Sequence, residues 1–125
     1  MSDKIKILLL DDEPIVAERV KSSLEISGFY VNSFISSQDA IDKLKQEKYD
    51  ILITDLKMSN PDGMEVLQIA SQIQPNIKSI VITGFATKQT AEIARQRGAV
   101  EFIAKPFKIS QLKKILNVIS GAEDK

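Results

Sequence analysis

Several polar residues capable of chemistry follow directly after short apolar runs of this sequence. In "LLLDDEPIV" three leucines run straight into three carboxylates, and the segments "ILITD", "SIVIT" and "EFIAK" each end on one polar residue. The residues concerned are Asp11, Asp12, Glu13, Asp55, Thr83 and Lys105. Carboxylates, a hydroxyl and an amine can together bind a metal ion or a phosphate, provided that the fold brings them to one place.

Clustered carboxylates repel one another and therefore need a positive partner. Two unit charges about 4 Å apart cost on the order of 4 kcal/mol at an effective dielectric near 20. Oxygen ligands without histidine or cysteine favour Mg²⁺, an ion that commonly bridges carboxylates to phosphate. Lys105 supplies a second positive charge, which is suited to phosphate. A metal, a lysine, a hydroxyl and a carboxylate together predict a site for phosphoryl transfer.

The spacing of apolar residues predicts the elements that would position this set. Short runs rich in Ile, Leu and Val have the length of strands. They lie near Ile5 to Leu10, Tyr30 to Phe34, Ile51 to Thr54, Ser79 to Thr83 and Glu101 to Ala104. Patterns typical of amphipathic helices alternate with these runs. The helices are expected from Pro14 to Gly28, after a cap at Ser36 or Ser37, from Met64 to Ile73, from Lys88 to Arg97 and from Ser110 to Ile119.

Strict alternation of strand and helix predicts one α/β domain, a doubly wound, five-stranded parallel sheet flanked by five helices. Ligands of such sheets bind at the carboxyl ends of the strands, which is where the polar residues fall. We assign residues 1–120 to this domain and residues 121–125 to a polar C-terminal tail.

The composition excludes several classes of function. Seventeen basic residues balance seventeen acidic ones, so no net charge attracts nucleic acid or an anionic membrane. The chain has neither cysteine nor histidine, which excludes thiolate and histidine metal sites and Ser-His-Asp catalysis. The longest apolar run is four residues, and the N-terminus has no signal-peptide pattern. We therefore expect a cytoplasmic protein with no direct nucleic-acid or membrane partner.

Four segments in order resemble the receiver domain of response regulators, the phosphoacceptor module of bacterial two-component signalling. "LLLDDEP" is similar to the acidic metal-binding turn of that family, and "DILITDLKMSNPDGMEVL" to its phosphoacceptor strand, loop and helix. "VITGFA" resembles the strand that carries a hydroxyl, and "GAVEFIAKPF" the strand that ends in lysine and proline. The resemblance covers nearly the whole chain and implies a flavodoxin-like (βα)5 fold with strand order 2-1-3-4-5.

The resemblance implies a metal site and a phosphorylated residue. Asp55 would be the phosphoacceptor and would also bind Mg²⁺. Asp12 would be the direct protein ligand, while Asp11 would act mostly through water. The third protein ligand would be the backbone carbonyl of Lys57. Glu13 would assist the start of the first helix and would be at most a neighbour of the metal.

The resemblance also implies how phosphorylation is sensed. Lys105 would pair with Asp55 before the reaction and with the phosphoryl group afterwards, and the Lys105-Pro106 bond would be cis. Thr83 would donate its hydroxyl to the phosphoryl group and move inward, and Phe102 would turn into the vacated space. The surface of the fourth helix, fifth strand and fifth helix would then repack.

The resemblance implies that two further positions set the lifetime of the phosphorylated state. Lys57 and Phe85 lie two residues past Asp55 and Thr83, positions at which side chains of this family flank the path of the hydrolytic water. A bulky apolar ring does not orient water, and an ammonium can pair with the phosphoryl oxygens. We therefore predict slow self-dephosphorylation.

The phosphodonor implied by the resemblance is a phosphohistidine on a sensor histidine kinase or a histidine phosphotransfer protein. The repacked surface could serve a phosphorylation-dependent dimer or the docking of an effector domain or protein, and the sequence does not choose between them. On this hypothesis the domain is no enzyme for other substrates, since it catalyses only its own phosphorylation and slow dephosphorylation.

Two alternatives share the predicted sheet. An aspartyl-phosphate hydrolase would place a second Asp two residues after its nucleophile, where this chain has Lys57. A receiver-like module that binds a partner without phosphorylation usually lacks an acid, the threonine or the lysine of the set, and this sequence lacks none. That second alternative stays open.

Overall fold

The computed structural model describes residues 4–58 and 62–120, in which strands and helices alternate. The strands are β1 (Lys6–Leu10), β2 (Tyr30–Phe34), β3 (Ile51–Asp55), β4 (Lys78–Thr83) and β5 (Ala99–Ala104). The helices are α1 (Pro14–Ile26), α2 (Ser37–Gln46), α3 (Gly63–Ile73), α4 (Lys88–Gln96) and α5 (Ile109–Ser120). None of these helices, within the described ranges, is long and apolar enough to cross a membrane. The predicted tail at 121–125 lies outside the described residues.

The five strands form one parallel sheet in the order β2-β1-β3-β4-β5. This confirms the predicted doubly wound α/β fold and its strand order. The order reverses between β1 and β3, so the loops that follow these two strands diverge and leave a crevice at the carboxyl edge of the sheet.

Both faces of the sheet are buried, which explains why the strands are apolar throughout instead of alternating. In β1, Leu8 and Leu10 face the core beneath α2 and α3, whereas Ile7 and Leu9 face the core beneath α1 and α5. All four are at most 3% exposed. The sheet is therefore packed against helices on both faces, which fixes the position of its carboxyl edge.

The strand β5 begins two residues earlier than predicted, at Ala99 and not at Glu101. Ala99 pairs with Ser79 and Glu101 pairs with Ile80, so Val100 is an extra residue in a bulge. The inserted Val100 side chain is apolar but 47% exposed. An apolar residue at this position therefore does not mark a buried strand position, and the apolar pattern does not show where β5 begins. Other boundaries agree within one or two residues.

Helix starts follow the capping residues of the sequence. Of the two candidate caps for α2, Ser36 is the cap, since its hydroxyl accepts a hydrogen bond from the Asp39 amide. Asp62 caps α3 in a reciprocal box with Glu65. This cap places the start of α3 at Gly63, one residue before the predicted Met64.

Candidate functional site

The turn after β1 places one acid inside the protein and two at its surface. Asp11 is 6% exposed, and its Oδ1 accepts a hydrogen bond of 2.9 Å from the amide of Glu13. Asp12 and Glu13 are exposed. Burial raises the pKa of Asp11, against the lowering effects of the Glu13 amide and of Lys105. The turn therefore presents several carboxylates to one small volume.

Asp55 ends β3 and is fixed through its own loop. Its side chain is buried, and Oδ1 accepts a hydrogen bond of 2.9 Å from the backbone amide of Lys57. Gly63, at the start of α3, allows the helix to approach: a Cβ added there would lie 2.3 Å from the Asp55 carbonyl oxygen. The requirement for glycine here is not predicted from the sequence, where its only signal is a glycine beside the capping residue Asp62.

Lys105 lies among the carboxylates of Asp11, Asp12, Glu13 and Asp55, which we call the acidic group. Its Nζ is 2.7 Å from Asp55 Oδ2, 3.3 Å from Asp11 Oδ2 and 3.3 Å from Glu13 Oε1. Burial alone would lower the pKa of Lys105, but its hydrogen bond to Asp55 and the charges of Asp11 and Asp55 raise it. The amine is therefore held in its charged form.

The backbone around Lys105 fixes its direction. Its amide donates a hydrogen bond of 2.8 Å to the carbonyl of Thr83, which joins the ends of β4 and β5. The Lys105-Pro106 peptide bond is cis, as the resemblance implies.

Glu13 makes a contact that the sequence analysis does not anticipate. It stands at the N-cap of α1, and its carbonyl accepts the Ala17 amide, but its side chain makes no capping hydrogen bond. The carboxylate contacts Lys105 instead. The position of Glu13 next to Asp11 and Asp12 is a weak signal for this contact. The direction of the Glu13 side chain depends on Lys105, which is 92 residues away in the sequence.

Thr83 is the last residue of β4, and Phe102 lies on β5. Thr83 is fully buried, and its hydroxyl oxygen accepts a hydrogen bond of 3.0 Å from the Phe85 amide. The structure does not bring that hydroxyl into hydrogen-bond contact with Asp55. Phe102 is half-buried and packs against the core beneath α2 and α3.

Lys57 and Phe85 contact each other at the mouth of the site. The Lys57 Nζ lies 5.2 Å from the centroid of the Phe85 ring, which is within cation–π range. Both side chains line a cleft of about 350 Å³. Its other lining residues are Asp12, Glu13, Asp55, Gly84 and Lys105. Because Lys57 and Phe85 follow Asp55 and Thr83 by two residues, the sequence predicts that both lie near the site. It does not predict that they contact each other.

The carboxylates meet the basic requirement of a site for a hard cation. One ligand atom from each of Asp11, Asp12, Glu13 and Asp55 lies within 4.8 Å of the others. All are oxygens, which fits Mg²⁺ or Ca²⁺ and not a metal that prefers nitrogen or sulfur. Asp12 forms no hydrogen bond or ion pair within the described ranges, so its oxygens are available to a ligand.

Comparison with known families agrees with this geometry. Residues 7–117 match the family model described as "Response regulator receiver domain". The chain belongs to that family. A receiver domain is a module of two-component signalling, as the sequence segments suggested.

Relatives of known name include response regulators from bacteria. It is 30% identical to the response regulator receiver protein CpdR of Brucella abortus, over 86% of this chain and 89% of that protein. It is 33% identical to the C4-dicarboxylate transport transcriptional regulatory protein DctD of Rhizobium meliloti. That match covers 90% of this chain but only 24% of DctD.

A solved structure with a similar fold contains a phosphorylated aspartic acid. It is a response regulator from Burkholderia pseudomallei, described as having a phosphorylated aspartic acid, a calcium ion and citrate. The identity is 27% and the TM-score 0.85, over 98% of this chain and 72% of that one.

Proposed function

We propose that this receiver domain accepts a phosphoryl group on Asp55 from the phosphohistidine of a partner protein. The observation that carries the proposal is the position of Lys105, whose Nζ is 2.7 Å from Asp55 Oδ2. The phosphorylated aspartic acid of the Burkholderia pseudomallei protein supports the same chemistry here. The family match spans residues 7–117, and we propose that the receiver domain spans residues 1–120.

The proposed reaction is a displacement at phosphorus. An Asp55 oxygen forms the new O–P bond while the P–N bond to the donor imidazole breaks, and the electron pair of that bond stays on the imidazole. Lys105 orients the carboxylate beforehand and then faces the transferred group, so one fixed charge serves both states. The partner would be a sensor histidine kinase or a histidine phosphotransfer protein.

Mg²⁺ is the proposed cofactor, held by Asp12, Asp55 and the backbone carbonyl of Lys57. When bound, it would neutralise charge on the oxygens of the transferred group. Asp11 already accepts hydrogen bonds from the Glu13 amide and from Lys105, which supports a role through water. Asp12 is exposed and has no such partner, which supports direct ligation.

The proposed signal passes from Asp55 to the surface of α4, β5 and α5. Thr83 would donate its hydroxyl to the phosphoryl group, and Phe102 would turn inward as Thr83 moves. Val100 on β5 and Val118 on α5 are exposed apolar side chains on this surface, 47% and 59% exposed. A phosphorylation-dependent dimer or an effector would bind there. Lys57 and Phe85 would set how long the signal lasts.

Intact-mass measurement after treatment with acetyl phosphate and Mg²⁺ tests the proposal. The native protein should gain one phosphoryl group, Asp55→Asn should gain none, and Asp42→Asn should behave as the native protein. Asp42 is a matched control because it is an exposed aspartate on α2. Modification that persists in Asp55→Asn would contradict the assignment. No modification of the native protein would favour an interaction module that works without phosphorylation.

A further inference from the structure

The loops after β3 and β4 each restrain a functional side chain through one backbone hydrogen bond. The amide of Lys57 donates to Asp55 Oδ1 at 2.9 Å, and the amide of Phe85 donates to Thr83 Oγ1 at 3.0 Å. In each loop, the residue two positions after a functional side chain restrains that side chain through its backbone. The side chains of Lys57 and Phe85 are thereby fixed in register with Asp55 and Thr83.

The Lys57 ammonium contacts the ring of Phe85, although carboxylates line the same cleft. The distance to the ring centroid is 5.2 Å, and no ion pair of Lys57 occurs within residues 4–58 and 62–120. Lys105 already neutralises part of the charge of Asp55 and Asp11, which weakens their attraction for a second cation. The ring is therefore the main partner of the Lys57 ammonium here.

Phe85 is itself tied to the first turn of α4. Its carbonyl accepts hydrogen bonds from the Thr90 hydroxyl at 2.8 Å and from the Thr87 amide at 3.0 Å. Thr87 and Thr90 also form the reciprocal cap of that helix. The backbone that carries the ring is consequently held on both sides, and the ring is a stable partner for Lys57 despite being 59% exposed.

We propose that Phe85 is a positioning residue for Lys57. Its ring keeps the ammonium at the mouth of the cleft, and a phosphoryl group on Asp55 competes with the ring for it. This inference rests on the proposed function, because it needs an anionic group at Asp55. An apolar side chain without a ring at position 85 would release the ammonium and strengthen binding of that group. The change would depend on Lys57.

A double-mutant cycle with beryllofluoride, a tetrahedral analogue of the phosphoryl group, tests the proposal. Binding in the presence of Mg²⁺ is followed by backbone amide resonances in the native protein, Phe85→Leu, Lys57→Met and the double variant. Phe85→Leu should bind beryllofluoride about two- to fivefold more tightly, which is the range expected for an exposed cation–π contact. In the Lys57→Met background the same substitution should have no effect. Phe85→Tyr retains a ring and should match the native protein.

Lys45→Met is the control for loss of a lysine, since Lys45 is an exposed residue of α2, outside the lining of the cleft. Its affinity for beryllofluoride should be native. An equal effect of Phe85→Leu with and without Lys57, or no effect in either background, would overturn the positioning role alone. A native protein that does not bind beryllofluoride at all would overturn both this inference and the proposed function.

Discussion

Replacing Lys105 with methionine should destabilise the metal-free protein, because it leaves the acidic group without its internal cation. The Lys105 side chain is 20% exposed and pairs with Asp55, Asp11 and Glu13. Removing one partner of a buried ion pair typically costs about 3–5 kcal/mol. Because the Glu13 carboxylate is exposed and screened, we expect a loss of about 2–3 kcal/mol here.

The repulsion that remains gives the variant a dependence on cations. Two carboxylates 4.8 Å apart, the limit of the observed cluster, repel by roughly 3.5 kcal/mol at an effective dielectric near 20. Mg²⁺ should therefore stabilise Lys105→Met more than it stabilises the native protein. Burial already raises the pKa of Asp11 in the native protein, and the loss of Lys105 removes a charge and a hydrogen bond that lower it, so the Asp11 pKa should rise further in the variant. A carboxylate whose pKa is higher in the folded state than in the unfolded state favours folding at low pH, so the deficit should shrink as the pH falls from 7 towards 4.

Urea denaturation followed by circular dichroism, with and without Mg²⁺, measures both effects. Lys114→Met is the matched control, because Lys114 is exposed on α5 and pairs with none of these acids. Equal stability of the two variants in the absence of metal would refute the reasoning. So would an equal gain on adding Mg²⁺ to the native protein and to Lys105→Met.

Two further predictions concern the metal and the lifetime of the phosphorylated state. Asp12→Ala should weaken Mg²⁺ binding far more than Glu13→Ala, since only Asp12 is proposed as a direct ligand; equal losses on titration would contradict that ranking. Phosphate loss at saturating Mg²⁺ should be slow in the native protein and faster in Lys57→Asn, in Phe85→Glu and most of all in the double variant. A double variant no faster than the native protein would mean that these side chains do not control access of water.

The sequence predicted the sheet because the apolar runs and the capping residues agree with each other. Runs buried on both faces cannot be mistaken for amphipathic strands, and each is bounded by a helix signal such as Pro14 or Ser36. The polar ends of the strands then had to meet at one edge, whatever the details of the loops. This is why the proximity of Asp11, Asp55 and Lys105 could be predicted from the order of elements alone.

The features that the sequence did not predict depend on distances across the fold. The bulge at Val100 follows from the pairing of β4 with β5. The side-chain amide of Gln74 donates to the carbonyls of Leu44 and Glu47 and accepts the Tyr49 amide, so that one side chain ties the end of α2 to the loop before β3. No local pattern marks a glutamine for such a role, because its partners lie 25 to 30 residues away.

The acidic group is where this chain departs most from a sequence chosen for stability alone. Four carboxylates share one small volume, and within residues 4–58 and 62–120 only Lys105 forms ion pairs with them, which leaves an excess of negative charge that a well-packed apolar cluster would not have. The same excess makes the site receptive to a divalent cation, which would both relieve the repulsion and prepare the site for an anionic phosphoryl group. The instability predicted for Lys105→Met and the metal dependence of phosphorylation thus have one physical origin, so a protein that showed neither would argue against both.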